Sequence, residues 1–236
     1  MSGLLAAVAA PHGIIAWLNA GRVTVLGDHV SVSEVAGFAT GAVSVWLTVK
    51  LRISNWAWGI ANDLLFLILF WAAGLYANAG LQVVYVILGG AGWWAWLPRR
   101  RAATVARDER TPVRSTTARE WAALAAAGVA GTAGLTWLLA ATSNSAVPFW
   151  DALTTVLSLL ATYGQIRKLV ESWWLWIAAD VIYIPLYATQ HLGLTALLYV
   201  GFLTMCVFGL RDWRRQARTG TAASRPAEPA AAGVAS

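Results

Sequence analysis

The strongest candidate in this sequence for a residue that does chemistry is Asp180, whose carboxylate lies inside an apolar stretch. Asp180 lies within Glu171–Tyr187, a mostly apolar stretch that is typical of a membrane-spanning helix. At about 100° per residue, Asp180 shares one helix face with Trp173 and Trp176. An ionisable group inside a span costs roughly 2.5–3.5 kcal/mol, so it usually faces a cavity, a partner or a substrate path. This face therefore predicts a binding surface where indole rings attract a cation and an acid balances its charge.

A second acid occupies a matching place earlier in the chain. Asp63 follows Trp56 by seven residues, as Asp180 follows Trp173. We expect the two acids to face each other and one or both of them to contact a polar or cationic solute. Each can also be a structural carboxylate that is hydrogen-bonded to a neighbouring helix, and both interpretations stay open.

Amide side chains extend the set of polar groups within apolar stretches. Gln82 and Tyr85 lie one helical turn apart, and Asn62 lies beside the first acid. A buried amide offers two donors and an acceptor to a ribose or a carboxamide, although it can also join two helices. The predicted substrate-binding residues are Gln82, Trp173, Trp176, Asp180, Asn62, Asp63 and Tyr85.

Several classes of function lack the residues that they require. The single cysteine, Cys206, excludes a disulfide within the chain and a cysteine-based metal cluster. No Gly-rich phosphate loop, nucleophile elbow or metal-ligand set occurs, so we expect no enzyme activity, cofactor or metal. The net charge of +6 comes from basic residues in short loops, where facing anionic lipid is a commoner role than binding nucleic acid.

Composition places these residues in a membrane protein, because 58% of the residues are hydrophobic and only 12% are charged. Seven apolar segments are near the length that a bilayer core demands. They are residues 32–50, 56–76, 79–97, 120–141, 149–166, 173–189 and 193–211. The sequence therefore predicts an all-α polytopic membrane protein.

The basic residues predict the orientation of these spans. Of the 17 Lys and Arg residues, 16 fall on one side of a seven-span arrangement, with Arg22 as the exception. We expect the protein in the cytoplasmic (inner) cell membrane. The positive-inside rule then places the N-terminus outside and the C-terminus in the cytoplasm. Residues 4–18 are broken by Pro11 and are short for a span, so we expect a short interfacial or re-entrant helix there. An eighth span at these residues would move only the N-terminus to the inside, so the count of basic residues does not distinguish the two arrangements.

An internal repeat organises the spans. At an offset of 117 residues the matched pairs are Glu34 with Asp151, Trp56 with Trp173, Ile60 with Ile177, Asp63 with Asp180 and Trp96 with Trp213. Three spans in each half run in the same direction only if one extra helix joins the halves, which predicts a 3+1+3 parallel repeat. The predicted units are an N-terminal interfacial segment (1–30), a first repeat (31–97), a basic cytoplasmic loop (98–119), a linker helix (120–142), a second repeat (148–213) and a disordered cytoplasmic tail (214–236).

Two motifs resemble those of a known family. Leu75–Tyr85, followed by Gly92–Trp96, resembles the span-three signature of PnuC-type nicotinamide riboside transporters. Arg167–Trp176, with the later Leu186-Tyr187 and Leu198-Tyr199, is similar to their second-half signature. The resemblance covers roughly residues 32–213. It implies a seven-helix 3+1+3 fold of the SWEET-like kind, usually a homotrimer, that carries the vitamin by facilitated diffusion with trapping by cytoplasmic phosphorylation.

One position departs from the family pattern. The second-half motif is Trp-x-x-Trp-x-x-x-Asn, and Trp173 and Trp176 match its tryptophans, whereas Asp180 replaces the final amide. Relatives with altered sites are thought to carry thiamine or riboflavin, which are alternatives here. A proton-coupled carrier that uses Asp63 or Asp180 is another. A substrate-binding membrane subunit or a receptor is the alternative without transport.

Overall fold

The computed structural model describes residues 22–25, 28–72, 76–97, 113–143, 147–189 and 193–223. Two short strands come first, β1 (Arg22–Val25) and β2 (Asp28–Ser31), and they pair antiparallel with Arg22 opposite Ser31. We did not expect this hairpin from the sequence, although its β-branched residues favour strands. The interfacial helix expected at residues 4–18 lies outside the described residues.

Seven helices follow in the described part of the chain. They are α1 (Val32–Val49), α2 (Ser54–Ala72), α3 (Tyr76–Trp96), α4 (Ala118–Thr142), α5 (Pro148–Ile166), α6 (Ser172–Thr189) and α7 (Gly193–Ala223). Helix α3 includes Ala77 and Asn78, which were expected in a loop. Helix α7 continues to Ala223, into the tail that was expected to be disordered, because Arg, Gln and Ala are good helix formers.

The outer surfaces of the helices are apolar. Trp94 is 80% exposed, and Val129 and Trp137 are each 73% exposed. Such a surface suits lipid, since large exposed apolar patches are rare on soluble proteins. Within the described ranges, Ala118–Thr142 and Thr195–Thr219 are long and apolar enough to cross a membrane by length and hydropathy.

The helices pack in two groups of three. Helix α2 contacts α1 and α3, and α6 contacts α5 and α7. The two groups meet through α1 against α7 and α3 against α5, while α4 packs on α5. A cavity that lies between the two groups is therefore walled by side chains from six helices.

The turns that lead into α2 and α6 have the same backbone geometry. Leu51 has φ 51° and Lys168 has φ 52°, and these two positions are 117 residues apart. In each turn the residue's own N–H donates to the carbonyl oxygen three residues earlier, at Thr48 and Gln165, over 3.0 Å. Left-handed backbone costs a non-glycine residue roughly 1–2 kcal/mol, so packing around both turns must hold it.

Four buried tryptophans pack together next to these turns, and we call Trp56, Trp96, Trp173 and Trp213 the tryptophan cluster. Trp56 meets Trp96 edge to face at 5.5 Å between ring centroids, and Trp173 meets Trp213 in the same way at 5.4 Å. Trp96 and Trp213 lie 6.3 Å apart and join the two pairs. The cluster therefore links α2 and α3 to α6 and α7.

Two indole N–H groups of the tryptophan cluster donate hydrogen bonds between the helix groups. The indole N–H of Trp96 donates to the carbonyl oxygens of Gln165 and Ile166 on α5, each over 3.2 Å. The indole N–H of Trp213 donates to the carbonyl oxygen of Thr48 on α1, also over 3.2 Å. Trp96 and Trp213 are 117 residues apart, as are Thr48 and Gln165, so the contact is reciprocal.

The segment before α4 holds the turn between α5 and α6. The Arg114 N–H donates to the Lys168 carbonyl oxygen, and the Val170 N–H donates to the Arg114 carbonyl oxygen. The Glu171 carboxylate accepts hydrogen bonds from the N–H and hydroxyl of Thr116, each over 2.7 Å. The α5–α6 turn is thus fastened on its outer side.

Helix α4 begins with a capping box. The Thr117 hydroxyl accepts from the Glu120 N–H, and the Glu120 carboxylate accepts from the Thr117 N–H. That carboxylate also pairs with Arg114 at 2.6 Å, and its hydrogen bonds raise the pKa of the Arg114 guanidinium. The start of the helix is therefore defined by its own sequence.

Candidate functional site

A cavity of about 620 Å³ lies between the two groups of helices, with walls from α1, α2, α3, α5, α6 and α7. All seven residues predicted to bind substrate line it: Asn62, Asp63, Gln82, Tyr85, Trp173, Trp176 and Asp180. The structure therefore brings together residues from three helices that the sequence pattern had selected separately. Their contact with a substrate stays a prediction.

The two carboxylates have different surroundings. Asp180 is only 4% exposed, and its Oδ2 accepts a hydrogen bond from the Cys206 thiol at 3.5 Å. Asp63 is half-buried, and its carboxylate has no hydrogen bond or ion pair within the described residues. No Lys or Arg is among the described residues that line the cavity, so the cavity wall is acidic.

The two amide residues also differ. The Asn62 amide nitrogen donates to the Gly37 carbonyl oxygen at 2.8 Å and to the Thr40 hydroxyl at 2.7 Å, so it joins α2 to α1. Gln82 on α3 is half-buried and has no hydrogen bond to other described residues. The amide of Gln82 is thus the freer of the two to meet a solute.

Tyr85 lies one turn further along α3. Its hydroxyl is hydrogen-bonded to the Ser158 hydroxyl on α5 over 2.5 Å. This bond joins the two helix groups across the cavity. Tyr85 therefore both lines the cavity and ties its walls.

The two predicted tryptophans of α6 lie at different depths. Trp176 is half-buried and faces the cavity with part of its ring. Trp173 reaches the cavity wall but has no exposed surface, because its ring packs on Trp213 and over Gly209. Because none of its surface is exposed, Trp173 is a packing residue in this conformation.

An aromatic wall was missed by sequence reasoning. Tyr199 lies 4.9 Å from Tyr183 and 5.2 Å from Tyr187 between ring centroids, and Phe202 packs edge-on to Tyr199 at 5.8 Å. All four rings line the cavity. The i, i+4 spacing of Tyr183 and Tyr187 on α6 was the available signal. This wall offers flat apolar faces to a planar ring.

A polar stripe on α5 was also missed. Thr155, Ser158, Thr162 and Gln165 all line the cavity. Their spacing of three, four and three residues places them on one helix face, which is a signal that the sequence contains. The cavity wall therefore contains hydroxyl groups as well as acids.

Asn55 at the start of α2 is a further residue that sequence reasoning missed. It is 2% exposed, lines the cavity and donates from its amide nitrogen to the Thr48 hydroxyl at 2.9 Å. A polar residue in the first helical turn is ordinarily a capping residue, so its type alone gave no functional signal.

The geometry suits binding. Acids, aromatic faces and hydroxyls surround a volume in the range of small-molecule sites. Within the described ranges, no group of three or more His, Cys, Asp or Glu residues could hold a metal ion. The arrangement can hold a flat, cationic solute that carries hydroxyl groups.

Comparison with known families identifies one that covers most of the chain. The family profile described as nicotinamide mononucleotide transporter matches residues 31–215. That range includes all seven helices except the last turns of α7.

Characterised relatives have two kinds of vitamin in their names. The riboflavin/roseoflavin transporter RibM of Streptomyces davaonensis is 31% identical over 205 residues, which are 86% of this chain and 93% of that protein. The nicotinamide riboside transporter PnuC of Escherichia coli is 28% identical over 213 residues, covering 81% of this chain and 89% of that protein. PnuC of Neisseria mucosa is 30% identical over 184 residues, covering 75% and 69%.

A solved structure has the same fold. The crystal structure of the vitamin B3 transporter PnuC superposes with a TM-score of 0.62 at 24% sequence identity, covering 92% of this chain and 90% of that one.

Proposed function

The chain belongs to the nicotinamide mononucleotide transporter family, so it is a multi-pass membrane protein, and we propose that it carries nicotinamide riboside by facilitated diffusion. The observation that carries this proposal is the cavity between the two helix groups, which has two carboxylates and no lining Lys or Arg among the described residues. Nicotinamide riboside is a cation with a flat ring and a hydroxylated sugar. Each of these parts has a chemical partner in the cavity wall.

The pyridinium ring is assigned to the acidic and aromatic part of the cavity. Asp63 and Asp180 balance its charge, and the Trp176 ring stacks on it. The Gln82 amide meets the carboxamide or the sugar. This assignment rests on the placement of these side chains around one volume.

The proposed architecture is a 3+1+3 parallel repeat, with a first repeat over residues 31–97, a linker helix over 120–142 and a second repeat over 148–213. Its support is the set of contacts that recur at an offset of 117 residues: the two left-handed turns, the two tryptophan pairs and the two reciprocal indole hydrogen bonds. Transport then follows from rocking one three-helix group against the other around the cavity.

The proposed orientation has the N-terminus outside and the C-terminus in the cytoplasm, in the inner membrane. The turns into α2 and α6 carry Lys50, Arg52, Arg167 and Lys168, which supports a cytoplasmic position for this end. The tryptophan cluster then closes the cytoplasmic end of the cavity. We further propose that the chain acts as a homotrimer and that cytoplasmic phosphorylation traps the vitamin.

Riboflavin is a second candidate substrate. The relative from Streptomyces davaonensis, named for riboflavin and roseoflavin, is 31% identical over most of both chains. The wall of Tyr183, Tyr187 and Tyr199 suits a flat ring system larger than a pyridinium. Riboflavin is neutral, however, so it leaves the two carboxylates without a charge partner.

Proton coupling is an alternative to facilitated diffusion, and its support is the unpaired carboxylate of Asp63 in the described part of the chain. A binding subunit or a receptor is the alternative without transport. A uniporter equilibrates labelled substrate alone in liposomes, whereas a binding subunit or a receptor does not.

A thermal-shift panel of the purified protein tests the choice of substrate. Nicotinamide riboside, thiamine, riboflavin and their phosphates are compared, because a ligand that binds only the folded state raises the melting temperature. We expect nicotinamide riboside to raise the melting temperature most. The phosphates should leave the melting temperature unchanged, because an acidic cavity repels an anion. A shift with riboflavin alone would transfer the assignment to the second candidate.

A further inference from the structure

Four buried polar atoms of residues that line the cavity have no hydrogen-bond partner within the described residues. They are the indole nitrogens of Trp56, Trp173 and Trp176 and the amide oxygen of Asn55. Asn55 is 2% exposed, Trp56 is 6% exposed and Trp173 has no exposed surface. All four residues line the same cavity.

Unpartnered groups of this kind are rare, because a buried donor or acceptor without a partner costs about 1–3 kcal/mol. Within the tryptophan cluster, the indole N–H groups without an acceptor belong to the residues that line the cavity. Trp96 and Trp213 do not line the cavity, and their N–H groups have carbonyl acceptors. Trp56 and Trp173 do line it, and theirs have none. The fold thus satisfies the outer indoles and leaves those at the cavity unsatisfied.

We propose that Asn55, Trp56 and Trp173 form an inner station that binds the hydroxyl groups of the substrate's sugar chain on its way to the cytoplasm. This inference rests on the proposed transport function and concerns the same cavity. A hydroxyl both donates and accepts, so neighbouring hydroxyls satisfy an indole N–H and an amide oxygen together. The ribose of nicotinamide riboside and the ribityl chain of riboflavin both supply such hydroxyls.

The station is closed in this conformation, because Trp173 has no exposed surface and the cluster rings are in contact. Parting of the cluster admits the sugar chain, whose hydroxyls pair with groups that are unpaired in the closed state. The substrate thereby favours the open, occupied state over the closed, empty one, as differential binding requires. The unpaired groups lower the barrier to release.

The first test is the double variant Thr48→Val/Asn55→Leu in proteoliposomes. It removes the Asn55 acceptor together with its Thr48 partner, so no new unpaired group is created. We expect an unchanged or higher melting temperature and uptake of nicotinamide riboside or riboflavin that is about 3- to 10-fold slower, the loss of one hydrogen bond. Thr132→Val on α4, a buried threonine that does not line the cavity, is the control.

The second test compares Trp56→Phe with Trp96→Phe, which remove the same ring atoms from neighbouring cluster positions. Trp96→Phe removes an N–H with carbonyl acceptors, so its melting temperature should fall more. Trp56→Phe removes an unpartnered N–H, so its uptake should fall more. Nicotinamide and lumiflavin, which lack the sugar chain, should bind both variants as they bind the wild type.

Unchanged uptake in both the double variant and Trp56→Phe would overturn the inner station while leaving the transport function intact. Equal weakening of the probes with and without a sugar chain would also overturn it, since the variants would then have disturbed the whole cavity. If the wild type binds none of the hydroxylated probes, the proposed function fails, and the station fails with it.

Discussion

At the scale of single residues, the charge of the cavity is the property that separates the candidate substrates. Asp63 and Asp180 line it from two helices, and the described lining contains no basic side chain to neutralise them. A cation entering the cavity gains Coulombic attraction that a neutral solute of the same size does not. The acids therefore favour nicotinamide riboside or thiamine over riboflavin.

Replacing each acid with its amide tests this preference. In Asp63→Asn we expect the affinity for nicotinamide riboside to fall about tenfold, which corresponds to about 1.4 kcal/mol, and the affinity for riboflavin to be unchanged. Asp180→Asn restores the amide of the family motif and should have a smaller effect, because Asp180 already accepts from Cys206. Titration calorimetry of the purified variants measures both. An equal loss for the two vitamins would contradict a charge effect.

Trp176 and Gln82 are the residues whose contact with the ring matters most in this account. Trp176→Ala should slow uptake about tenfold or more, since a desolvated cation–π contact contributes about 2 kcal/mol. Gln82→Ala should slow it as well, because the wild-type amide has no partner among the described residues. Uptake is measured in cells with expression and oligomer size checked by gel filtration. Normal uptake in both variants would exclude the proposed site.

Only some of the residues that line this cavity were predictable from the sequence. Asp63, Asp180 and Gln82 were found because a charge or an amide is expensive in an apolar stretch. Thr162 and Thr48 were missed because a helical threonine can satisfy its hydroxyl on its own backbone, as both do here at four residues' distance. Burial and partner, rather than residue type, reveal such groups.

At the scale of helices, two glycines allow the tryptophan cluster to form. A Cβ on Gly92 would lie 2.4 Å from the Trp56 ring, and one on Gly209 would lie 2.5 Å from the Trp173 ring. At both distances the added Cβ would clash with the ring. Helix α2 can therefore approach α3, and α6 can approach α7, only because these two positions have no side chain. These two positions are also 117 residues apart.

Gly92→Ala should therefore destabilise the protein by about 1–3 kcal/mol through overpacking. Gly90→Ala on the same helix is the matched control, because a Cβ there meets nothing within 4 Å. Thermal unfolding in detergent compares the two variants. Equal melting temperatures for both would show that the ring moves aside freely.

The helices themselves were predictable because each apolar segment is close to the length of a span. The residues at which the helices end were not predictable. Hydropathy ended the last span at residue 211, but Trp213 is fully buried and Asp212 pairs with Lys50 at 3.4 Å, so the packed helix continues. Tertiary contacts of this kind leave no signal in a hydropathy profile.

At the scale of the whole molecule, the proposed repeat would account for both the cavity and its closure. The contacts of α1 with α7 and of α3 with α5 are equivalent under the offset of 117 residues. Among the described residues, the hydrogen bonds from the segment Val113–Thr117 to an interhelical turn go to the α5–α6 turn, through Arg114 and Glu171. We therefore expect the first three-helix group to be the more mobile of the two.

Fusions at the C-terminus test the orientation of the molecule. Green fluorescent protein fused after Ser236 should fluoresce, and alkaline phosphatase fused there should be inactive, because the positive-inside rule places this end in the cytoplasm. The opposite pattern would show that the C-terminus lies outside the cell and that the tryptophan cluster lies at the outer end of the cavity.

The most direct test of the central claim is the uptake of labelled nicotinamide riboside into liposomes that contain only the purified protein. The account predicts that the internal concentration rises to the external concentration and stops there, with or without a proton gradient. It also predicts that Trp176→Ala liposomes fill more slowly to the same level. Entry no faster than in protein-free liposomes, or accumulation above the external concentration that an uncoupler abolishes, would contradict it.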